Sequence, residues 1–196
     1  MEILTKLWAV ADIEAKKANV ESASVFDPIG LILIRPLRNM AYQSTPVNSI
    51  SIAHTGGDGV HFSLISSEGK TSENSPVVMT VPMNFGKQNM ILGENLLEFL
   101  CLGNQVGYSC LEQLTYNDTK AKTIEQIQYP ENEIGKENGL KPCAQFHRKA
   151  QLLGVLRDSF GLKPWDKVEQ RLNELQNSYM GILEFGPTAF RNRGAG

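Results

Sequence analysis

The N-terminal residues carry apolar side chains at intervals of three and four positions, with charged residues between them. This series consists of Leu4, Leu7, Trp8, Ala11, Ala15 and Ala18. A stripe with that spacing is the apolar face of an amphipathic helix, so we expect a helix over residues 1–19. The branched apolar run at 29–34, closed by Arg35-Pro36, then predicts a buried strand or a segment that crosses the core.

From residue 47 the apolar period changes to two, which is the period of a β-strand. Three alternating runs are separated by the turn Thr55-Gly56-Gly57-Asp58-Gly59 and by a second turn at 66–70. The apolar members are Ile50, Ile52, Phe62, Leu64, Met79 and Val81. Because the connections are too short for crossovers, we expect an antiparallel meander of three strands. The alternation predicts that helices cover the sheet on one side only, the side of these residues.

The remaining residues predict a loop and several helices. Residues 82–93, rich in Asn and Gly, predict a loop, and the residues after it predict a helix that ends at Gly103, followed by a short helix over 109–116. Near the end of the sequence, one helical pattern ends at Gly161 and another begins at Pro164. The second has a narrow apolar seam, which we expect to dock against the first helix. The seam consists of Trp165, Val168, Leu172, Leu175 and Tyr179.

These patterns predict an α+β protein in which an antiparallel sheet packs against helices, with a C-terminal helical pair. We expect a core domain at 1–116 and, because large apolar residues are few there, a polar connection at 117–142. The helical pair at 143–185 is expected to pack on the core or on a partner. A flexible tail at 186–196 completes the predicted organisation.

Composition narrows the classes of function. Of the 196 residues, 41% are hydrophobic and 20% are charged, as in ordinary folded domains. The net charge of −2 gives no general attraction to nucleic acid. The apolar runs are short of the roughly 20 residues that cross a bilayer, and three cysteines without a CxxC pair suit reduced thiols. We therefore expect a cytoplasmic monomer or homodimer that binds neither nucleic acid nor membrane.

The most distinctive local chemistry lies around the first turn. His54, Asp58 and His61 flank one hairpin, where two imidazoles and a carboxylate can approach a metal ion. This arrangement defines one functional alternative, a metal-dependent hydrolase or other small enzyme that uses these three residues. A clear fourth ligand is missing, however, and an aspartate between glycines is ordinary turn chemistry.

The sequence contains no convergent set of acid, base, nucleophile and metal ligands. We therefore favour a non-catalytic protein-binding module without a cofactor. Its candidate contacts are the polar residues of the first turn and of the loop at 84–89. They are His54, Gly57, Asp58, His61, Asn84 and Lys87.

The region from 49 to 103 carries a family resemblance. It contains a strand, the Thr55-Gly56-Gly57-Asp58-Gly59 turn, a strand that begins Val60-His61-Phe62, a strand at 77–81 and the helical sequence Asn95-Leu96-Leu97-Glu98-Phe99-Leu100. In this order the chain resembles the SMI1/KNR4, or SUKH, superfamily. The resemblance implies an antiparallel sheet backed by helices and a protein-binding role. In bacteria that role is often that of an immunity protein that neutralises a toxin, so a toxin domain is the implied partner.

Overall fold

The computed structural model of the chain describes residues 1–66, 69–117, 119–127 and 144–186. In these residues the α-helices are α1 (Glu2–Ala18), α2 (Leu96–Val106), α3 (Gln113–Tyr116), α4 (Lys120–Glu125), α5 (Ala144–Phe160) and α6 (Val168–Tyr179). The strands are β1 (Ile32–Leu33), β2 (Ser49–His54), β3 (His61–Ile65), β4 (Val77–Thr80) and β5 (Asn89–Gly93). Short 3-10 turns occur at Ser22–Ser24, Asp27–Ile29, Tyr108–Glu112 and Met180–Ile182. The predicted α+β class, with an antiparallel sheet packed against helices, is confirmed.

The strands lie in the sheet in chain order, and each neighbouring pair is antiparallel. The predicted meander is confirmed as β2, β3 and β4, and β1 lies within the apolar run at 29–34. The expectation of a loop over 82–93 is wrong in its second half. There β5 pairs with β4 and buries Met90, Ile91 and Leu92, so the connecting turn ends at residue 88 and spans 81–88.

The first face of the sheet carries the apolar residues that the alternation predicts. Ile52, Phe62, Leu64, Met79 and Val81 are buried in the main hydrophobic cluster, and Ile50 packs against that cluster while partly exposed. This part of the prediction is confirmed. The same cluster contains residues of α1, α2 and α5, so these helices and the first face share one core.

The second face of the sheet is also covered, and the expectation of cover on one side is wrong. Ile65, Val78 and Ile91 form a second apolar cluster with Leu175 of α6. The segment 39–46 forms hydrogen bonds with the polar residues of the same face. With cover on both sides, every residue of β3 and β4 is buried.

Helix α2 runs farther than its sequence predicts. Asn95 caps its N-terminus, where the side-chain oxygen of Asn95 accepts the N–H of Glu98 at 2.8 Å. The expectation that Gly103 ends the helix is wrong, because Gly107, with φ of 88°, ends it instead. Gly103 is required for packing, since a Cβ there would clash with the buried ring of Tyr108.

The two C-terminal helices pack on different parts of the molecule. Helix α5 packs on α2 and on the Asp27–Ile29 turn, and it is followed by Gly161 with φ of 63°, as predicted. Helix α6 begins at Val168 rather than at Pro164. Its apolar seam packs mainly on β5 and α4, so the expectation that it docks chiefly against the preceding helix is wrong.

Helix α4 lies within the segment that composition predicts to be a polar connection. Its Ala121 and Ile124 are buried, because these two side chains face the core while Lys120 and Lys122 carry the polar side. Residues 128–143 of the predicted connection, and the predicted tail from 187 onward, lie outside the described residues. Within the described ranges, no helix has both the length and the apolar character needed to cross a membrane.

Polar side chains fix α6 against the sheet. Gln176 bonds the outer edge of β5 with both ends of its amide: its oxygen accepts the N–H of Ile91 and its nitrogen donates to the carbonyl of Ile91, each at 2.9 Å. Arg171 donates to Glu98 at 2.7 Å and to Glu94 at 2.6 Å, at the start of α2. The outer edge of β5 is therefore closed at Ile91 by a side chain in place of a further strand.

Candidate functional site

The two turns that carry the predicted binding residues lie at the same end of the sheet. In the pairing register His61 of β3 is opposite both His54 of β2 and Thr80 of β4, and Thr80 is opposite Asn89 of β5. The β2–β3 turn at 55–60 and the β4–β5 turn at 81–88 therefore both leave the sheet at this end. The structure thus brings the predicted binding residues to one end of the sheet, but some of them are buried in the fold and others are exposed.

His61 is fully buried and belongs to the fold. Its Nδ1 lies 2.7 Å from the carbonyl of Gly59 and its Nε2 lies 3.0 Å from the hydroxyl of Thr45. A carbonyl only accepts, so Nδ1 carries the proton and Nε2 accepts from the threonine. Tyr42 stacks on the ring at 5.7 Å, and burial lowers the pKa of His61 below its ordinary value. Both ring nitrogens are thus occupied by the protein itself.

His54 is half-buried beside the turn. Its Nδ1 accepts the N–H of Gly56 at 3.2 Å, and burial together with the nearby positive charge of Arg38 lowers its pKa. With His61 occupied, the imidazoles do not form an open pair of ligands. Among the described residues, no group of three or more His, Cys, Asp or Glu side chains is placed to hold a metal ion.

Gly57 and Asp58 form the exposed tip of the β2–β3 turn. Asp58 adopts a left-handed conformation with φ of 48°, which aspartate tolerates better than most residues. Gly59 has φ of 72° and lies under Tyr42, where an added Cβ would come within 2.5 Å of the tyrosine Cζ. The turn is therefore held in one shape by Tyr42 while its tip faces solvent.

Asn84 and Lys87 lie on the β4–β5 turn. The Asn84 side chain donates to the carbonyl of Thr115 at 3.1 Å, which ties this turn to α3. Lys87 is exposed and lines a surface groove beside the edge of β5. Asn84 therefore supports the backbone of this turn, whereas Lys87 borders the groove.

The groove is the feature that inspection of polar residues misses. It has a volume of about 520 Å³ and lies between residues 85–89 of the turn and two exposed apolar residues near the C-terminal end, Met180 and Phe185. Phe85 is 82% exposed and Phe185 is 50% exposed, both high values for phenylalanine. Among the described residues that line the groove, Lys87 is the single charged one.

The segment after α6 carries the far wall of this groove. It is held by Val47, whose N–H donates to the carbonyl of Glu184 at 2.7 Å, and by Asn48. The side chain of Asn48 donates to the Ile182 carbonyl at 2.9 Å and accepts the N–H of Glu184 at 3.0 Å. These bonds fix the segment on the start of β2, with the apolar side chain of Ile182 exposed.

Three exposed apolar side chains line this groove together, and we call this set the apolar patch. It consists of Phe85, Met180 and Phe185. The sequence holds one signal for it: Met83 and Phe85 are large apolar residues in a turn whose other residues are mainly polar or glycine. The other members are separated from Phe85 by dozens of residues along the chain, and only the fold brings them together.

The chain was compared with known families, curated proteins and solved structures. No protein-family model, no curated protein and no solved structure matches the chain significantly.

Proposed function

We propose that the protein is a non-catalytic protein-binding module that holds its partner at the apolar patch. One observation carries the proposal: Phe85 stands 82% exposed on a turn that is fixed at both ends. The turn is held by the β4–β5 pairing and by the bond from Asn84 to the Thr115 carbonyl. An aromatic side chain displayed on a fixed backbone loses little conformational entropy on binding.

The composition of the patch supports a protein partner. Phenylalanine and methionine are enriched in the buried centres of protein interfaces, where a few large side chains supply most of the affinity. A contiguous exposed apolar surface rimmed by polar residues is typical of interaction sites. Here the rim contains Gln43, Ser44, Lys87 and Gln88, which suits the polar border of such an interface.

The sequence resemblance to SUKH immunity proteins suggests where to look for the partner. Within the proposal the first candidates are proteins encoded beside the gene of this chain, beginning with any toxin domain. The exposed tip at Gly57 and Asp58 leaves the sheet at the same end as the β4–β5 turn and adds polar contacts at the margin of the interface. His54 is half-exposed next to it, whereas His61 acts by fixing the turn.

The test is to titrate each purified candidate partner into the full chain by calorimetry. We expect Phe85→Ser and Phe185→Ser each to weaken binding by about tenfold or more, because each removes a large side chain from the centre of the contact. Ile13→Ser is the matched control, since Ile13 is 54% exposed on α1 and lies outside the patch. Binding that survives both patch substitutions would refute the proposed site, and no binding to any toxin domain encoded beside the gene would refute the immunity role.

A further inference from the structure

The edge of β5 next to the groove has an unpaired position. In β5, Asn89 and Ile91 are two residues apart, so their backbone N–H and C=O groups point to the same side of the strand. At Ile91 both groups are bonded by the Gln176 amide, which shows that this side is the outer edge. At Asn89 the structure gives neither backbone group a hydrogen-bond partner among the described residues.

The pairing with β4 agrees with this assignment. Val81 donates its N–H to the carbonyl of Gln88 at 2.7 Å, so the backbone groups of Gln88 point toward β4. The backbone N–H and C=O of the next residue, Asn89, therefore point away from β4. The side chain of Asn89 is used inside the fold, where it accepts from Thr80 at 2.8 Å and donates to the Ser44 carbonyl at 3.0 Å. Its backbone therefore remains at the edge while its side chain fixes the strand in place.

This free edge opens into the groove. Asn89 is one of the lining residues, together with Phe85, Met180 and Phe185. An extended segment that bonds to the Asn89 backbone would place alternate side chains on one side, within reach of the apolar walls. Its other end would meet Gln176, which already occupies the next outward position of the edge.

We infer that the groove binds an extended peptide segment of the protein partner, which adds to the edge of β5 at Asn89. The segment carries an apolar residue that enters between Phe85 and Phe185. The inference rests on the proposed function, and it adds the conformation and the chemistry of the bound segment.

The probe for the test is a library of random seven-residue peptides displayed on phage and selected on the full chain. We expect the enriched sequences to alternate apolar and polar residues, as a segment added to a strand edge does. Enriched peptides with apolar residues three and four apart would instead indicate a bound helix and would overturn the inference, as would the absence of enrichment over the Phe85→Ser variant.

A matched pair of variants then tests the backbone contact with one synthetic peptide from the selection. Asn89→Ala and Asn89→Pro both lose the side-chain bonds to Thr80 and Ser44, but only proline also removes the outward N–H. We expect the peptide to bind Asn89→Pro at least about tenfold more weakly than Asn89→Ala. Equal affinities would overturn strand addition.

A measurement on the unaltered protein does not depend on how these variants fold. Amide hydrogen exchange of Asn89 should slow by about tenfold or more when the peptide is added, because a new hydrogen bond protects it. Ile91 is the internal control, since its amide is already bonded to Gln176. Unchanged exchange at Asn89 in the bound state would overturn the inference. If peptides and partner both bind through Phe85 but Asn89 is not involved, the proposed function stands and only strand addition fails.

Discussion

Substitution of Gln105 by alanine tests whether the sheet, α2 and the C-terminal helices unfold as one unit. Gln105 is 2% exposed on α2, and its side chain bonds two other parts of the chain. Its nitrogen donates to the carbonyl of Ile124 in α4 at 3.0 Å and to the carbonyl of Ile127 just after α4 at 2.7 Å. Its oxygen accepts the N–H of Trp165 at 3.1 Å, in the connection between α5 and α6.

Besides a long hydrogen bond from the Gln105 nitrogen to the Trp165 carbonyl at 3.4 Å, the substitution removes three short hydrogen bonds, and these set its expected cost. Each contributes a net stabilisation of about 1 kcal/mol, and a buried group left without a partner costs about 1 to 3 kcal/mol more. The N–H of Trp165 loses its acceptor, whereas the Ile124 carbonyl still accepts the N–H of Ile127. The three bonds at about 1 kcal/mol each and a further cost of about 1 kcal/mol for the part-buried N–H of Trp165 lead us to expect that Gln105→Ala lowers the free energy of unfolding by about 4 kcal/mol.

Urea denaturation followed by circular dichroism and tryptophan fluorescence measures this effect. Gln126→Ala is the control, because Gln126 is exposed and we expect its substitution to change stability by less than about 0.5 kcal/mol. A single transition with an unchanged m value and a lower midpoint would support one cooperative unit. A loss under about 1 kcal/mol for Gln105→Ala, or a separate early transition of the C-terminal helices, would refute the reasoning.

Three further predictions concern the sheet and its core. Burial holds the pKa of His61 below its value in the unfolded chain, so the contribution of the neutral imidazole to stability is complete above about pH 6.5 and is lost as the pH falls below that value. The free energy of unfolding should therefore decline from pH 7 to pH 5. The decline should have a shallower slope in His61→Gln. Phe62→Ala should cost about 3 to 5 kcal/mol in denaturant unfolding, since Phe62 is fully buried, and a cost under about 1 kcal/mol would contradict its place in the core. Gly103→Ala should lower the melting temperature because its Cβ would meet the Tyr108 ring, whereas Gly181→Ala, with open space around the added Cβ, should leave melting unchanged.

The parts of the fold that depend on local pattern can be read from the sequence. Three predictions from such patterns are confirmed: the helix α1, the strands β2 to β4 and the glycine that follows α5. Each rests on a signal that spans only a few neighbouring residues. The missed strand β5 has only three consecutive apolar residues, Met90 to Leu92, between Asn89 and Gly93. A run so short and without alternation carries no period, and its pairing with β4 is what makes it a strand.

The role of His61 illustrates a second limit. Its alternation with Val60 and Phe62 correctly places it on the face opposite the main core, where an uncovered sheet would leave it in solvent. The 39–46 segment covers that face instead, with Tyr42 and Thr45 in contact with the imidazole. Nothing within the strand indicates this cover, because it comes from a segment whose own sequence has no regular period. A polar residue in an alternating strand therefore predicts the face it lies on, but not whether that face is exposed.

The apolar patch shows why the candidate site is harder to predict than the fold. Its walls come from the β4–β5 turn and from the segment after α6, and that segment is placed by Asn48 at the start of β2. The position of α6 depends in turn on Gln176, which bonds the edge of β5 only two residues from Asn89. Helix α6 thus closes the edge of β5 at Ile91 and also brings Met180 and Phe185 to the groove beside Asn89, where the edge stays open. Because both features depend on the same docking of α6, the groove and the free edge arise together from the tertiary structure, and neither is present in any one segment of the sequence.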